Sequence, residues 1–333
     1  MSADNPHQRY STPAVSTQIR DQVPLYLGKY LGQHFGNPGR HILPIPYAEL
    51  HCISNYSFLR GASHPEELVQ QASEMGYQAI AITDECSYSG LVKAHKTAKA
   101  CGVKLICGAE FILQDLTSNN EATPPSRLIL LAKNRQSYGQ ISSLISKLRR
   151  RSEKGSYYLG SADLQVGLSD CLAIWVCEGQ PIEQLKNIGA ELKTLLPRLW
   201  IGLGLFHDGQ DLSKTANALT LSTTLNLPIV AVNDVHTHIP QRQPLQDVVT
   251  AIRLKTNIQE LGYQGFCNAE RTLRPIETLQ QLYPEEMLRQ TMIIADQCEF
   301  SMDELRYQYP KDLVPPHLTP SAYLRQLTYD GAR

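Results

Sequence analysis

The sequence predicts an α/β fold of mostly parallel strands, closed into a barrel in preference to an open sheet, with a helical stretch after it. Three observations carry this. Short apolar runs recur from Tyr47 to Val232, and helix-length segments separate them, which is the signature of repeated βα units. About seven such units can be counted, enough to close a ring. After Gln241 the apolar runs cease, and the chain becomes helix-like and punctuated by proline.

The elements follow in order. Met1 to Arg20 is polar, with Pro6 and Pro13, and reads as a loose tail. Ala48 to Ile53 is a β-like run ending in a turn at Arg60 to Ser63. Ser63, followed by Pro65 and Glu66, opens a helix that stops at Gly76. Ala79 to Thr83 is a buried strand, followed by a helix over 91–100 and a strand over 104–107. Arg127 to Ala132 is the next strand, with a helix over 137–149. Strands at 171–176, 200–205 and 228–232 alternate with helices over 181–195 and 212–226. The basic run from Lys147 to Lys154 reads as a solvated helix end in preference to a phosphate contact. The organisation expected is a tail over 1–46, a barrel over 47–240 and a helical extension over 241–333.

Composition narrows the function. Lys and Arg number 31 against 32 Asp and Glu, a formal net charge of -1. A domain that grips duplex DNA by itself usually shows a basic excess, so any nucleic-acid contact is expected to be local or supplied by other parts of a larger protein. The eight cysteines contain no CxxC pair, which points away from zinc knuckles and thioredoxin chemistry. Buried thiols such as Cys107 and the absence of a signal-peptide pattern or membrane-length apolar run imply a reducing cytoplasm and no membrane partner.

Strand ends carry the chemistry in parallel α/β folds. His51 lies in the first strand, and Asp84 and Glu85 follow the second. Glu110 follows the third, Cys177 and Glu178 the run ending at Val176, and His207 the run ending at Leu205. Asp234 and His236 follow Val232. His, Asp, Glu and Cys converging on one rim match a divalent-metal hydrolase site. Each also has a plainer reading: Asp84 as a helix cap, Asp234-Val-His236 as a structural turn, His207 as a loop residue.

The segment Tyr47 to Ser63 resembles the opening motif of PHP (polymerase and histidinol phosphatase) domains. Ala81-Ile-Thr-Asp-Glu85 resembles their second motif, Gly108-Ala-Glu110 the third and Ala231-Val-Asn-Asp-Val-His236 the last. Leu128 to Asn134 with Tyr138 is similar to the polymerase III alpha-subunit family. Phe58 to Glu67 with Thr83-Asp-Glu-Cys86 is similar to its error-prone branch.

This resemblance implies a distorted (β/α)7 PHP barrel with a helical C-terminal extension leading to a palm domain that the chain lacks. In intact members the barrel binds up to three metals, Zn, Mn or Mg. The metal ligands implied here are His51, Glu110, Asp234 and His236, with Asp84, Glu85, Cys177 and His207 as further candidates. Three positions depart from the pattern. Ile53 stands where the second His of a His-x-His pair belongs, Arg60 where an Asp precedes the glycine, and Glu85 where a His follows Thr-Asp. Arg60 places a cation where a metal needs an anion, so a metal-poor site is the favoured reading.

The implied function is that of an N-terminal scaffold of an error-prone, damage-tolerant C-family DNA polymerase, inactive by itself. Its partners would be the palm, thumb and fingers of the same polymerase and other polymerase subunits. The stretch Tyr323 to Arg333 reads as the lead-in helix to the palm, cut in mid-element, and the extension is expected to expose apolar surface. The alternative is a stand-alone metal-dependent phosphoesterase or 3′–5′ exonuclease.

Overall fold

Alternating apolar and helical segments give seven strands and nine helices in the first of two compact units, Met1–Ser301, among the described residues. A computed structural model describes residues 45–114, 126–165, 167–177, 179–306 and 314–333. The expected tail therefore falls mostly outside the described residues, as does Glu178. In chain order the unit contains β1 (Ala48–Glu49), α1 (Pro65–Glu74), β2 (Ala79–Ile82), α2 (Leu91–Cys101), β3 (Lys104–Ile112), β4 (Arg127–Leu131), α3 (Arg135–Arg151) and α4 (Ser161–Leu164). It continues with β5 (Leu172–Val176), α5 (Ile182–Leu195), β6 (Leu199–Leu203), α6 (Asp211–Leu225), β7 (Ile229–Ala231), α7 (Gln243–Leu254), α8 (Ile276–Leu282) and α9 (Glu285–Gln297).

Local chemistry sets the boundaries. Pro65 occupies the first turn of α1, and Glu67 accepts the His64 N–H at 2.8 Å, so the helix opens one residue later than the Ser63 signal suggests. Gly102 ends α2 at φ 76°, a left-handed C-cap that glycine adopts without a Cβ clash. Asn134 caps α3 by accepting the Ser137 N–H at 2.9 Å.

The strands pair in sequence order, β1 to β7. β1–β2, β2–β3, β5–β6 and β6–β7 are parallel, whereas β4 runs against both β3 and β5. The mostly parallel sheet is thus present with one reversed strand. A parallel connection requires a crossover of a dozen or more residues, usually a helix. β3 instead extends to Ile112, well past its expected end at Cys107, and pairs there with Arg127. The reversal turns the first residue of β4 toward the edge where the parallel strands end. The ring is drawn together at that edge: Ile53 N donates to Val235 O at 2.9 Å, and Val235 N donates to His51 O at 2.9 Å. This is a distorted, curled (β/α)7 barrel.

Its interior is filled by alternate strand residues, among them Leu50, Ala81, Ile129, Ile174, Val230 and Val232, all buried. Ile294, Ala295 and Cys298, on or just after α9, belong to the same core. The first residues of β1 and β3 fix that helix in place. Ala48 N donates to Thr291 Oγ1 at 3.3 Å, and Lys104 Nζ donates to Ala295 O at 2.7 Å. α9 therefore covers the end where the parallel strands begin, leaving the opposite end as the rim.

Between α7 and α9 the chain is tied to the rim by a buried arginine. Arg274 Nη1 donates to Leu205 O at 3.0 Å, and its carbonyl accepts from Tyr77 Oη at 2.6 Å. Thr272 bridges Thr237, so this segment lies along the chain leaving β7. The second unit, Met302–Arg333, contains α10 (Pro320–Gly331), capped by Thr319 accepting from Ala322 N at 3.3 Å.

Candidate functional site

His51, Glu110 and Asp234 come from three strand ends and meet in the barrel, each almost fully buried. One ligand atom from each lies within 4.8 Å of the others, the only such group of His, Cys, Asp or Glu found among the described residues. His51 Nε2 is 2.6 Å from Glu110 Oε2 and 3.5 Å from Asp234 Oδ1. The residue types suit a divalent ion. The sequence places all three on the rim, and the fold brings them together.

Three arginines share this space. Arg60 Nη1 lies 2.5 Å from Glu85 Oε2 and 2.5 Å from Glu110 Oε1. The Glu85 contact is an aligned hydrogen bond. The Glu110 contact is a close ion pair without hydrogen-bond alignment, since Glu110 Oε1 has no hydrogen-bond partner. Arg127 Nη1 donates to Asp234 Oδ2 at 2.8 Å, and Arg271 Nη1 pairs with the same oxygen. Arg271 is further held between Phe206 and Phe266, its guanidinium 4.0 and 4.6 Å from their ring centroids.

The electrostatics follow from this packing. Burial opposes ionisation of Glu110, but Arg60 and the His51 hydrogen bond outweigh it and hold the carboxyl well below the usual range. Asp234 is likewise buried, and Arg127 and Arg271 hold it well below its ordinary value. Around this oxygen cluster three carboxylates face three guanidiniums, with Arg60 shared by Glu85 and Glu110 and Asp234 paired with both Arg127 and Arg271.

The other candidates are used differently. His236 is buried, and burial pushes its imidazole down to about 3 despite the pull of Asp234. Its Nδ1 lies 2.7 Å from Asp234 O, and its ring packs edge-on against Phe266. Asp84 caps no helix, because α2 begins after Gly90. It instead accepts from Ser54 N at 2.8 Å, Ser54 Oγ at 2.8 Å and Ser57 Oγ at 2.7 Å, pinning the loop that carries Arg60. Glu85 accepts from Tyr157 Oη at 2.9 Å as well as from Arg60. Cys177 is half-buried beside a small recess lined by Gly202 and Lys214. His207 is exposed in a loop, with its N–H on Asp211 Oδ2 at 2.9 Å. Neither joins the His51 group.

Sequence reasoning misses Arg127 and Arg271. Arg127 looks like the first residue of an apolar strand, and only the reversal of β4 sends it to the rim. Arg271 belongs to the stretch read as a remote extension. The basic helix end departs from its expected solvated role: Arg149 donates to Glu85 O at 3.0 Å and Cys86 O at 3.2 Å with its guanidinium over Tyr157, and Lys147 and Arg151 pair with the buried Asp163.

Residues 49–173 match the family described as PHP domain. Proteins described as error-prone DNA polymerase are similar over most of the chain. That of Methylococcus capsulatus is 49% identical over 287 residues, covering 86% of this chain and 26% of the relative. That of Dechloromonas aromatica is 46% identical over 291 residues, 86% of this chain and 27% of the relative. That of Bordetella parapertussis is 45% identical over 303 residues, 88% of this chain and 28% of the relative. The chain spans about a quarter of the length of the curated relatives it matches. The resemblance read from the motifs is borne out.

Proposed function

We propose that this chain, which carries a PHP domain and is homologous to error-prone DNA polymerases, is the N-terminal scaffold portion of such a polymerase and turns over no phosphoester by itself. A shortage of ligands is the observation that carries this reading. His51, Glu110 and Asp234 stand alone as a close group among the described residues, and multi-ion hydrolase sites need further ligands to bridge and saturate the metals. Ile53, buried and hydrogen-bonded through its N–H to Val235, offers no donor where the family resemblance expects one.

The residues present do not fit a metal cluster. The facing atoms of His51 and Glu110 bond each other, Glu110 Oε1 faces Arg60, and Asp234 Oδ2 faces two arginines. Among the ligand atoms of these three residues, His51 Nδ1 and Asp234 Oδ1 are left with neither a hydrogen bond nor an ion-paired guanidinium. One oxygen and one imidazole nitrogen are too few to seat the metals that hydrolysis of a phosphoester would use.

In this reading, polymerisation and tolerance of damaged templates belong to palm, thumb and finger segments of the parent polymerase, and DNA is met only through them. Other polymerase subunits or accessory factors are further partners. No helix among the described residues is long and apolar enough to cross a membrane, and the eight cysteines form no disulfide. Both features suit a cytoplasmic protein.

The stand-alone phosphoesterase or 3′–5′ exonuclease is the competing reading. The test is hydrolysis of 3′-labelled single-stranded DNA and of a small phosphodiester by the chain with added Mn2+ or Zn2+. Rates equal to those of Glu110→Gln are expected. Turnover that Glu110→Gln abolishes would sink the scaffold reading.

The surface supports a partner role. Leu245, Val248 and Ile252 recur along α7 and are exposed, with Phe58 and Tyr263 also bared. The isolated chain is therefore expected to self-associate with rising concentration in light scattering. A monodisperse monomer across the same range would contradict this.

A further inference from the structure

The mismatch with a metal cluster has a definite chemical form. The atoms that a divalent ion would bind are engaged by guanidinium nitrogens on two sides. One nitrogen, Arg60 Nη1, lies 2.5 Å from both Glu85 Oε2 and Glu110 Oε1. It sits between two carboxylates as a bridging cation would. Arg127 and Arg271 close on Asp234 Oδ2 from elsewhere in the fold. All three arginines are largely buried, with side chains 14%, 20% and 13% exposed.

Their positions are built rather than incidental. Arg60 sits on a loop whose backbone is fixed at several points. Gln246 of α7 donates to Arg60 O at 2.7 Å, and Ser57 and Ser54 anchor the loop on Asp84. Gly61 follows in a turn so tight that a Cβ there would lie 2.1 Å from Ser54 O. Arg271 is clamped by two phenyl rings. Arg253 of α7 adds to the positive field at the rim: burial, then the charges of Arg60 and Arg127, lower its guanidinium pKa. An incoming divalent cation meets charge already balanced.

We propose that Arg60 is an internal counter-cation that takes over the charge-balancing role of a divalent ion beside His51 and Glu110, with Arg127 and Arg271 serving Asp234. The rim is then stable without metal, and an ion binds only when Arg60 is removed. This deepens the scaffold reading and rests on it. It also reaches beyond it, because a scaffold could equally lose its ligands and leave the carboxylates unbalanced.

The test is thermal unfolding of the full chain and of Arg60→Ala and Arg60→Lys, each first stripped with a chelator and then titrated with Mn2+ or Zn2+ alone. Wild type and Arg60→Lys are expected to keep the same midpoint with and without ion. Arg60→Ala is expected to drop by several degrees and to regain most of that loss as Mn2+ is added, with calorimetry showing one ion bound per chain. An Arg60→Ala midpoint equal to wild type overturns the proposal, as does a drop that neither ion repairs; the scaffold reading survives both. A stoichiometric ion in wild type, lost with a fall in midpoint on chelation, overturns the proposal. Phosphodiester turnover abolished by Glu110→Gln is the separate failure of the scaffold reading.

Should Arg60→Ala not fold, the triple variant Arg60→Met with Glu85→Gln and Glu110→Gln removes the cation together with both carboxylates it bridges. Recovery of cooperative unfolding without ion supports the counter-cation role, since a buried pair can be replaced by neutral groups when neither charge is left alone. Failure of this variant to fold overturns it.

Discussion

A chain ending at Tyr283 is expected to yield no cooperative unfolding transition, whereas one ending at Ser301 is expected to unfold like the full chain. The difference between them contains α9. Its Ile294 and Ala295 lie in the barrel core with Ala48, Val230 and Leu131, with Cys298 just beyond the helix end. Removing them uncovers the end of the barrel where the parallel strands begin. The same cut removes partners of Ala48 N, Lys104 Nζ and Trp200 Nε1, the last of which donates to Gln290 Oε1 at 3.0 Å. The two donors on buried residues, Ala48 N and Trp200 Nε1, add about 1–3 kcal/mol each to the loss of apolar burial. A domain holds only about 5–15 kcal/mol in total, so the loss exceeds what it has. Ile294→Ala is the milder version, expected to cost about 2–5 kcal/mol in urea unfolding. Cooperative unfolding of the chain ending at Tyr283 would contradict the role assigned to α9.

The second large effect is at Asp234. Asp234→Ala is expected to lower stability by about 3–5 kcal/mol, the range for breaking a buried ion pair from one side. Arg127 and Arg271 both lose the oxygen they share, and their two positive charges are left facing each other. Part of the cost is backbone strain: Asp234 sits at φ 42°, a left-handed conformation that Asp and Asn tolerate and alanine resists. Asp234→Asn separates the two terms. It keeps the backbone preference and the shape but removes the charge, so it is expected to fall between alanine and wild type. Equal stability of Asn and wild type in urea titration would show that the charge does little there.

Much of this architecture was legible in the residues. Apolar runs placed all seven strands, and the loss of such runs after Gln241 marked the change to helices. The strand-end rule found His51, Glu110 and Asp234 before any geometry was known. The hidden part has physical causes. β4 runs antiparallel to its neighbours, and apolar patterning carries no direction, so Arg127 could not be assigned to the rim. α9 looks like an amphipathic helix of an extension, since periodicity shows which face is buried but not what buries it. The sequence ends the barrel at residue 240, yet the first compact unit runs to Ser301 because α9 supplies part of its core. Arg60 was the informative departure: a cation in an anion's place predicts an electrostatic substitute, and the geometry sets it on Glu85 and Glu110.

The most direct measurement of the central claim is the metal content of the chain, purified without chelator and passed through gel filtration before elemental analysis. A rim neutralised by its own arginines predicts Zn, Mn and Mg far below one ion per chain. One or more ions per chain, retained through the column and lost in Glu110→Gln, would contradict it.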